Sequence, residues 1–142
     1  MNNKIRIGYT TGVYDMFHIG HLNIIKKAKE KCDYLIVGVT TDELCYKRKK
    51  KYPIICESER KAIIESNKYV DKVIYQSDMD KLKAVKEYGI NVVFVGSDWK
   101  GTPSWNQYEK DFLKENCQVV YLDHTDGISS TILRERLNEQ DL

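Results

Sequence analysis

The run Asp33-Tyr34-Leu35-Ile36-Val37-Gly38-Val39-Thr40 is apolar almost without interruption. Strict alternation would mark a strand with one wet face, whereas a continuous run of this length suits a strand covered on both faces, as in a parallel sheet. Four more short strands are read at Ile5-Arg6-Ile7-Gly8-Tyr9, Asp71-Lys72-Val73-Ile74-Tyr75, Asn91-Val92-Val93-Phe94-Val95-Gly96 and Gln118-Val119-Val120-Tyr121-Leu122. Between them the apolar residues take helical spacing. Leu22, Ile25 and Ala28, widened by Ile24, oppose Lys26, Lys27, Lys29, Glu30 and Lys31. Glu57-Ser58-Glu59-Arg60 opens a helix with Ala62, Ile63 and Ile64 toward the core, and Met79 to Tyr88 forms another that Gly89 stops as a C-terminal cap. Tyr108 to Asn116 reads as a charged helix, and a last one holds Ile132, Leu133 and Leu137. Alternating strands and helices predict a Rossmann-like, doubly wound α/β sheet of five mainly parallel strands with right-handed crossovers. Residues 1–142 contain no linker, repeat or low-complexity stretch and read as a single domain with one core.

A formal net charge of +2 gives no bulk attraction to nucleic acid or to a lipid surface, so neither is expected as a partner. Cys32, Cys45, Cys56 and Cys117 are scattered without a CxxC pair, which fits reduced thiols in a cytoplasmic protein. Met1-Asn2-Asn3-Lys4 leads straight into a strand-like run, without a signal peptide, and the longest apolar runs are too short to span a bilayer.

The chemistry concentrates in Tyr9-Thr10-Thr11-Gly12-Val13-Tyr14-Asp15-Met16-Phe17-His18-Ile19-Gly20-His21. A strand that ends in small hydroxyl and glycine residues and then enters a helix suits phosphate. Small residues let the backbone approach the anion, and the free N–H groups and dipole of the helix start favour negative charge. His18 and His21 lie three apart at that helix entry. They could instead be surface residues on one helix face, or part of a metal site with His124 as a third ligand. The basic run Lys47-Arg48-Lys49-Lys50-Lys51, ended by Pro53, likewise has two readings. One is a solvated face. The other is a loop beyond the carboxyl end of the second strand that closes over phosphates.

The stretch Gly-Val-Tyr-Asp-Met-Phe-His-Ile-Gly-His resembles the HxGH signature of the nucleotidyltransferase superfamily in its cytidylyltransferase form. Four more motifs extend the similarity from about Tyr9 to Thr131: Val37-Gly38-Val39-Thr40-Thr41-Asp42-Glu43, Glu59-Arg60 with Tyr69-Val70-Asp71, Gly96-Ser97-Asp98-Trp99-Lys100-Gly101, and Thr125-Asp126-Gly127-Ile128-Ser129-Ser130-Thr131. The fourth of these five motifs leans toward the small bacterial enzymes that act on glycerol-3-phosphate.

The resemblance implies attack of a substrate phosphate oxygen on the α-phosphorus of CTP, with pyrophosphate released. The product would be CDP-glycerol for a cell-envelope or capsule polymer. Phosphocholine, phosphoethanolamine or another polyol phosphate as acceptor, or ATP in place of CTP, are the alternatives; Tyr46 and Tyr108 are candidates for an aromatic cage around a quaternary ammonium. A nucleotide-binding module without activity is the non-enzymatic alternative. The same resemblance implies a homodimer and Mg2+ arriving with CTP.

On this reading His18 and His21 contact the triphosphate and stabilise developing charge. Thr10, Thr11, Gly12, Tyr14 and Gly20 line the phosphate turn, and Asp15 supports the loop or a metal. Arg48 and Lys50 contact substrate and triphosphate phosphates. Arg60 lies near the nucleotide or pairs at the surface, and Asp98 and Trp99 border the cytosine, unless Trp99 plugs the core. Thr125, Gly127, Ile128, Ser129, Ser130 and Thr131 bind nucleotide at the last helix, where Ser129 also suits an N-cap. His124 stands where the family usually carries arginine, and Ser130 where threonine is common. Histidine replaces a permanently charged fork with a smaller, partly charged ring at that acceptor-facing position.

Overall fold

The computed structural model describes residues 5–124 and 129–139. In chain order the elements are β1 (Ile7–Gly12), α1 (Ile19–Glu30), β2 (Tyr34–Thr40), α2 (Asp42–Lys49), α3 (Glu57–Glu65), β3 (Lys72–Gln76), α4 (Lys81–Tyr88), β4 (Val92–Gly96), a 3-10 turn (Ser97–Trp99), α5 (Pro103–Leu113), β5 (Gln118–Leu122) and α6 (Ser130–Glu139). The five strands form one sheet in the order β3-β2-β1-β4-β5, and every neighbouring pair is parallel. The doubly wound expectation therefore holds, with the sheet parallel throughout.

Both faces of the sheet are covered, as the unbroken apolar run of β2 requires. Leu35, Val37 and Val39 turn to one face, where Ile25 and Ala28 of α1 and Ile64 of α3 meet them. Ile36 turns to the other face with Tyr9 and Val93, against Val85 of α4 and Trp105 and Phe112 of α5. The chain builds β1, β2 and β3 outward on one side, then returns to place β4 on the other flank of β1. That reversal opens a crevice beyond the carboxyl ends of β1 and β4, where ligands of open α/β sheets bind.

Several boundaries differ from those read off the sequence. β1 runs on to Gly12, so Thr10 and Thr11 are strand residues and not part of a turn. The basic run is largely helical. Thr41 caps α2, its Oγ1 accepting from the Leu44 N–H at 3.2 Å, with Asp42 and Glu43 in the first turn and Lys47, Arg48 and Lys49 in the last. Charges so placed complement the helix dipole at both ends. α5 starts at Pro103, where the ring's fixed φ suits the first helical position, and not at Tyr108. Gly89 stops α4 as expected, at φ 64 with its N–H on the Val85 carbonyl.

Candidate active site

The crevice holds a cavity of about 410 Å³. Thr10, Thr11 and Gly12 from the end of β1 form its floor with Val95 and Gly96 from the end of β4. Tyr14, Asp15, His18, Gly20 and His21 from the β1–α1 connection line one wall. Trp99, His124, Ser129, Arg134, Lys49, Lys51, Tyr52 and Pro53 complete the lining.

The two histidines form the start of α1. His18 is the N-cap, and its Nδ1 accepts the Gly20 N–H at 3.1 Å. His21 reaches back, its Nδ1 accepting the His18 N–H at 3.3 Å. This is a capping box built from imidazoles in place of the usual hydroxyl and carboxylate. The rings stack with centroids 3.8 Å apart, and His21 also meets the edge of Tyr14 at 5.4 Å. A neutral imidazole that accepts at Nδ1 carries its proton on Nε2. The His18 Nε2 is buried with no protein partner. Burial lowers the pKa of His18, and burial with the neighbouring His18 ring lowers His21 to about 4, against a weaker opposing pull from Asp15. Both rings are therefore neutral donors at pH 7 in the nucleotide-free protein. α1 has no acidic residue in its first turn, so its dipole is left for a ligand.

Asp15 sits between Tyr14 at φ 55 and Met16 at φ 51, both left-handed. Its carboxylate accepts the N–H groups of Ile54 and Ile55, each at 2.9 Å, and Arg134 Nη2 at 2.5 Å. Those donors hold its pKa below the usual carboxylate range, against the desolvation that raises it. Of the two roles expected for Asp15, the structure shows the support of the loop: N–H groups and a guanidinium hold both of its oxygens. Among the described residues no group of three or more His, Cys, Asp or Glu side chains could hold a metal. The three-histidine centre does not form, because His124 turns away to Asp98, 2.9 Å from Nε2 to Oδ2. A Cβ on Gly96 would lie 2.9 Å from the His124 ring, so only glycine lets the imidazole pack there.

Other expected residues lie outside the lining. Arg60 is 1 % exposed and is not part of the lining. Its guanidinium donates to the carbonyls of Ile55, Val13 and Thr40 and pairs with Asp42 at 2.5 Å, tying α3 to the ends of β1 and β2. This buried brace replaces the surface pairing, and Arg60 stands behind the lining, on the carbonyl of Val13. Arg48 and Lys50 do not line the cavity; Lys49 and Lys51 do, because Lys50 takes a left-handed turn at φ 58. Trp99 is 43 % exposed at the cavity lip, and the core plug is Trp105. Asp98 is not in the lining and meets the lip through His124. Ser129 lines the cavity, and its Oγ accepts the Ile132 N–H at 3.0 Å, as a capping serine does. Ser130 opens α6 and Thr131 is exposed, while Thr125, Gly127 and Ile128 lie outside the described residues.

Arg134 and Lys81 escaped the sequence reading, and within the basic run it is Lys49 and Lys51 that face the cavity. Arg134 enters the lining from α6, and Lys51 from beyond α2. Lys81, 7 % exposed, donates from Nζ to Thr11 Oγ1 at 3.0 Å. Burial, and then the nearby charge of Arg48, pull its pKa down to about 8. Lys81 is not in the cavity lining itself and meets it through Thr11.

The cytidylyltransferase-like family matches residues 9–136. A glycerol-3-phosphate cytidylyltransferase of Staphylococcus aureus is 40% identical over 134 residues, 93% of this chain and 95% of that one. Its Bacillus subtilis counterpart is 38% identical over 129 residues, 90% and 94% of the two chains. Among solved structures, a lipopolysaccharide core biosynthesis protein from Thermoplasma volcanium superposes with a TM-score of 0.75 at 29% identity, covering 87% of this chain and all of that one.

Proposed function

Because the chain belongs to the cytidylyltransferase-like family, we propose that it transfers CMP from CTP to a small phosphorylated alcohol, glycerol-3-phosphate above all. The products are CDP-glycerol and pyrophosphate. An oxygen of the acceptor phosphate forms the new bond to the α-phosphorus, and the bond from that phosphorus to the bridging oxygen breaks, so that pyrophosphate carries the charge away. Such reactions need alignment and charge stabilisation more than covalent help.

One observation carries this reading. Two neutral imidazoles, fixed through Nδ1 to the backbone at a helix start, line the cavity, and the His18 Nε2–H has no protein partner among the described residues. In our assignment these donors and the α1 N-terminus hold the triphosphate, and its negative charge raises both histidine pKa values on binding. Lys49, Lys51 and Arg134 add positive charge around the same space, and Ser129 offers a second helix start. The acceptor phosphate goes beside Thr11, which lines the cavity and whose Oγ1 accepts from Lys81 Nζ behind it. The cytosine goes to the Trp99 lip.

An uncharged polyol suits the acceptor end better than a quaternary ammonium. Tyr108 is committed to the core, stacked on Phe112 and donating to the Met79 carbonyl at 2.8 Å. Tyr46 adjoins five cations in a row, which repel an ammonium. A divalent ion entering with the triphosphate is part of the proposal and rests on the resemblance. A homodimer, a cytoplasmic location and a role in envelope polymer synthesis complete the proposal. The first and last rest on the resemblance; the location is supported by four free cysteines and by the lack, among the described residues, of a helix long and apolar enough to cross a membrane.

Pyrophosphate release from CTP by the purified protein, with a panel of phosphorylated alcohols, tests the reaction. Turnover is expected to be highest with glycerol-3-phosphate. Equal or greater turnover with phosphocholine, or with ATP replacing CTP, rejects this assignment.

A further inference from the structure

The basic run is flanked by Tyr46 on α2 and Tyr52 after it, and the two rings stack with centroids 4.6 Å apart and planes 19° from parallel. Both side chains are otherwise well exposed, at 43 % and 65 %. Neither is needed by the core, so burial does not explain their pairing. What the pair does is join the two ends of a segment that has reasons to come apart. Lys47 to Lys51 are five successive cations that repel one another. Lys47 has a weak surface partner in Glu43, and the α2 dipole helps only as far as the last helical turn. Lys50 then adopts a left-handed conformation at φ 58, unfavourable for a side chain with a Cβ, with its N–H on the Tyr46 carbonyl at 2.7 Å. That turn brings Lys49 and Lys51 to the same cavity and leaves Lys50 outside its lining.

We propose that Tyr46 and Tyr52 form an aromatic clasp that closes the base of this turn and so presents Lys49 and Lys51 to phosphate in the cavity. Tyr46 is a positioning residue: it is not part of the lining and acts through Tyr52 and the two lysines. The proposal rests on the cavity binding polyphosphate, but not on which alcohol is the acceptor.

The test uses Tyr46→Leu, which keeps an apolar helix former and removes the ring, beside Tyr46→Phe, which keeps the stack. Two readouts are independent of turnover: affinity for inorganic tripolyphosphate, and the rate at which trypsin cuts within residues 47–51. Tyr46→Leu is expected to weaken tripolyphosphate binding by about three- to tenfold, the scale of one aromatic pair, and to speed tryptic cleavage by a similar factor. Tyr46→Phe restores both. Wild-type binding and cleavage in Tyr46→Leu, or a change in only one of them, overturns the clasp; so does failure of phenylalanine to rescue. Failure of the catalytic reading looks different. Wild-type protein then binds tripolyphosphate but releases no pyrophosphate from CTP, and the clasp is judged on its own readouts.

Discussion

His18 and His21 each commit Nδ1 to a backbone N–H, and the helix start and the ligand donors are thereby the same two side chains. Removing either loses a charge-stabilising donor together with part of a cap. His18→Ala or His21→Ala is expected to lower turnover by at least about a hundredfold, measured as pyrophosphate release. The protonation states give a sign as well. The folded, nucleotide-free protein holds His21 at about 4 against an ordinary 6.5. Between those values the unfolded chain binds more protons, so stability falls as pH drops from 6.5 toward 4. Urea midpoints measured across that window should show the decline, and His21→Asn should flatten it. Burial holds Lys81 at about 8. The acceptor KM should therefore rise as pH passes above 8, and Lys81→Arg should remove that limb. The histidines were legible because their motif is local. Lys81 was not, because its partner Thr11 lies 70 positions away and only the return of α4 to the end of β1 joins them. The register of Lys49 and Lys51 was equally hidden, since it depends on a backbone reversal at Lys50.

At the scale of elements, the strands were easy to read because β2 and β4 are buried on both faces. α2 was not. It buries only Leu44 and Cys45, so its sequence carries charges and a cap but almost no apolar periodicity. α3 is anchored differently from what its arginine suggested. Arg60 ties three elements together through buried acceptors. Arg60→Met leaves Asp42 without its cation and three carbonyls without a donor, and should lower stability by about 3–5 kcal/mol in denaturant unfolding. Arg60 makes no contact with the cavity, so the affinity of the folded fraction for CTP should change far less than its stability. A large loss of CTP affinity with stability intact would return Arg60 to the nucleotide.

The whole molecule is one parallel sheet between two helical layers, and its two clusters share the strands of that sheet. A perturbation on either face should thus unfold the same unit. Ile64→Ala and Phe112→Ala, on opposite faces and both 0 % exposed, should each cost about 2–5 kcal/mol and add within roughly 0.5 kcal/mol. Each should retain a single unfolding transition; two separate transitions would divide the chain into more than one domain. The same sheet places the reversal between β1 and β4, and the cavity there collects residues from positions 10 to 134. That convergence is what no linear motif displays, although each contributing turn follows from its own local chemistry.

With only three histidines in the chain, side-chain ¹⁵N spectra during a CTP titration address the polyphosphate grip most directly. At pH 7 without nucleotide, His18 and His21 should both appear neutral with the proton on Nε2, and CTP should shift the Nε2 resonances of both. A proton on Nδ1, or Nε2 signals that stay put while CTP binds, would contradict it.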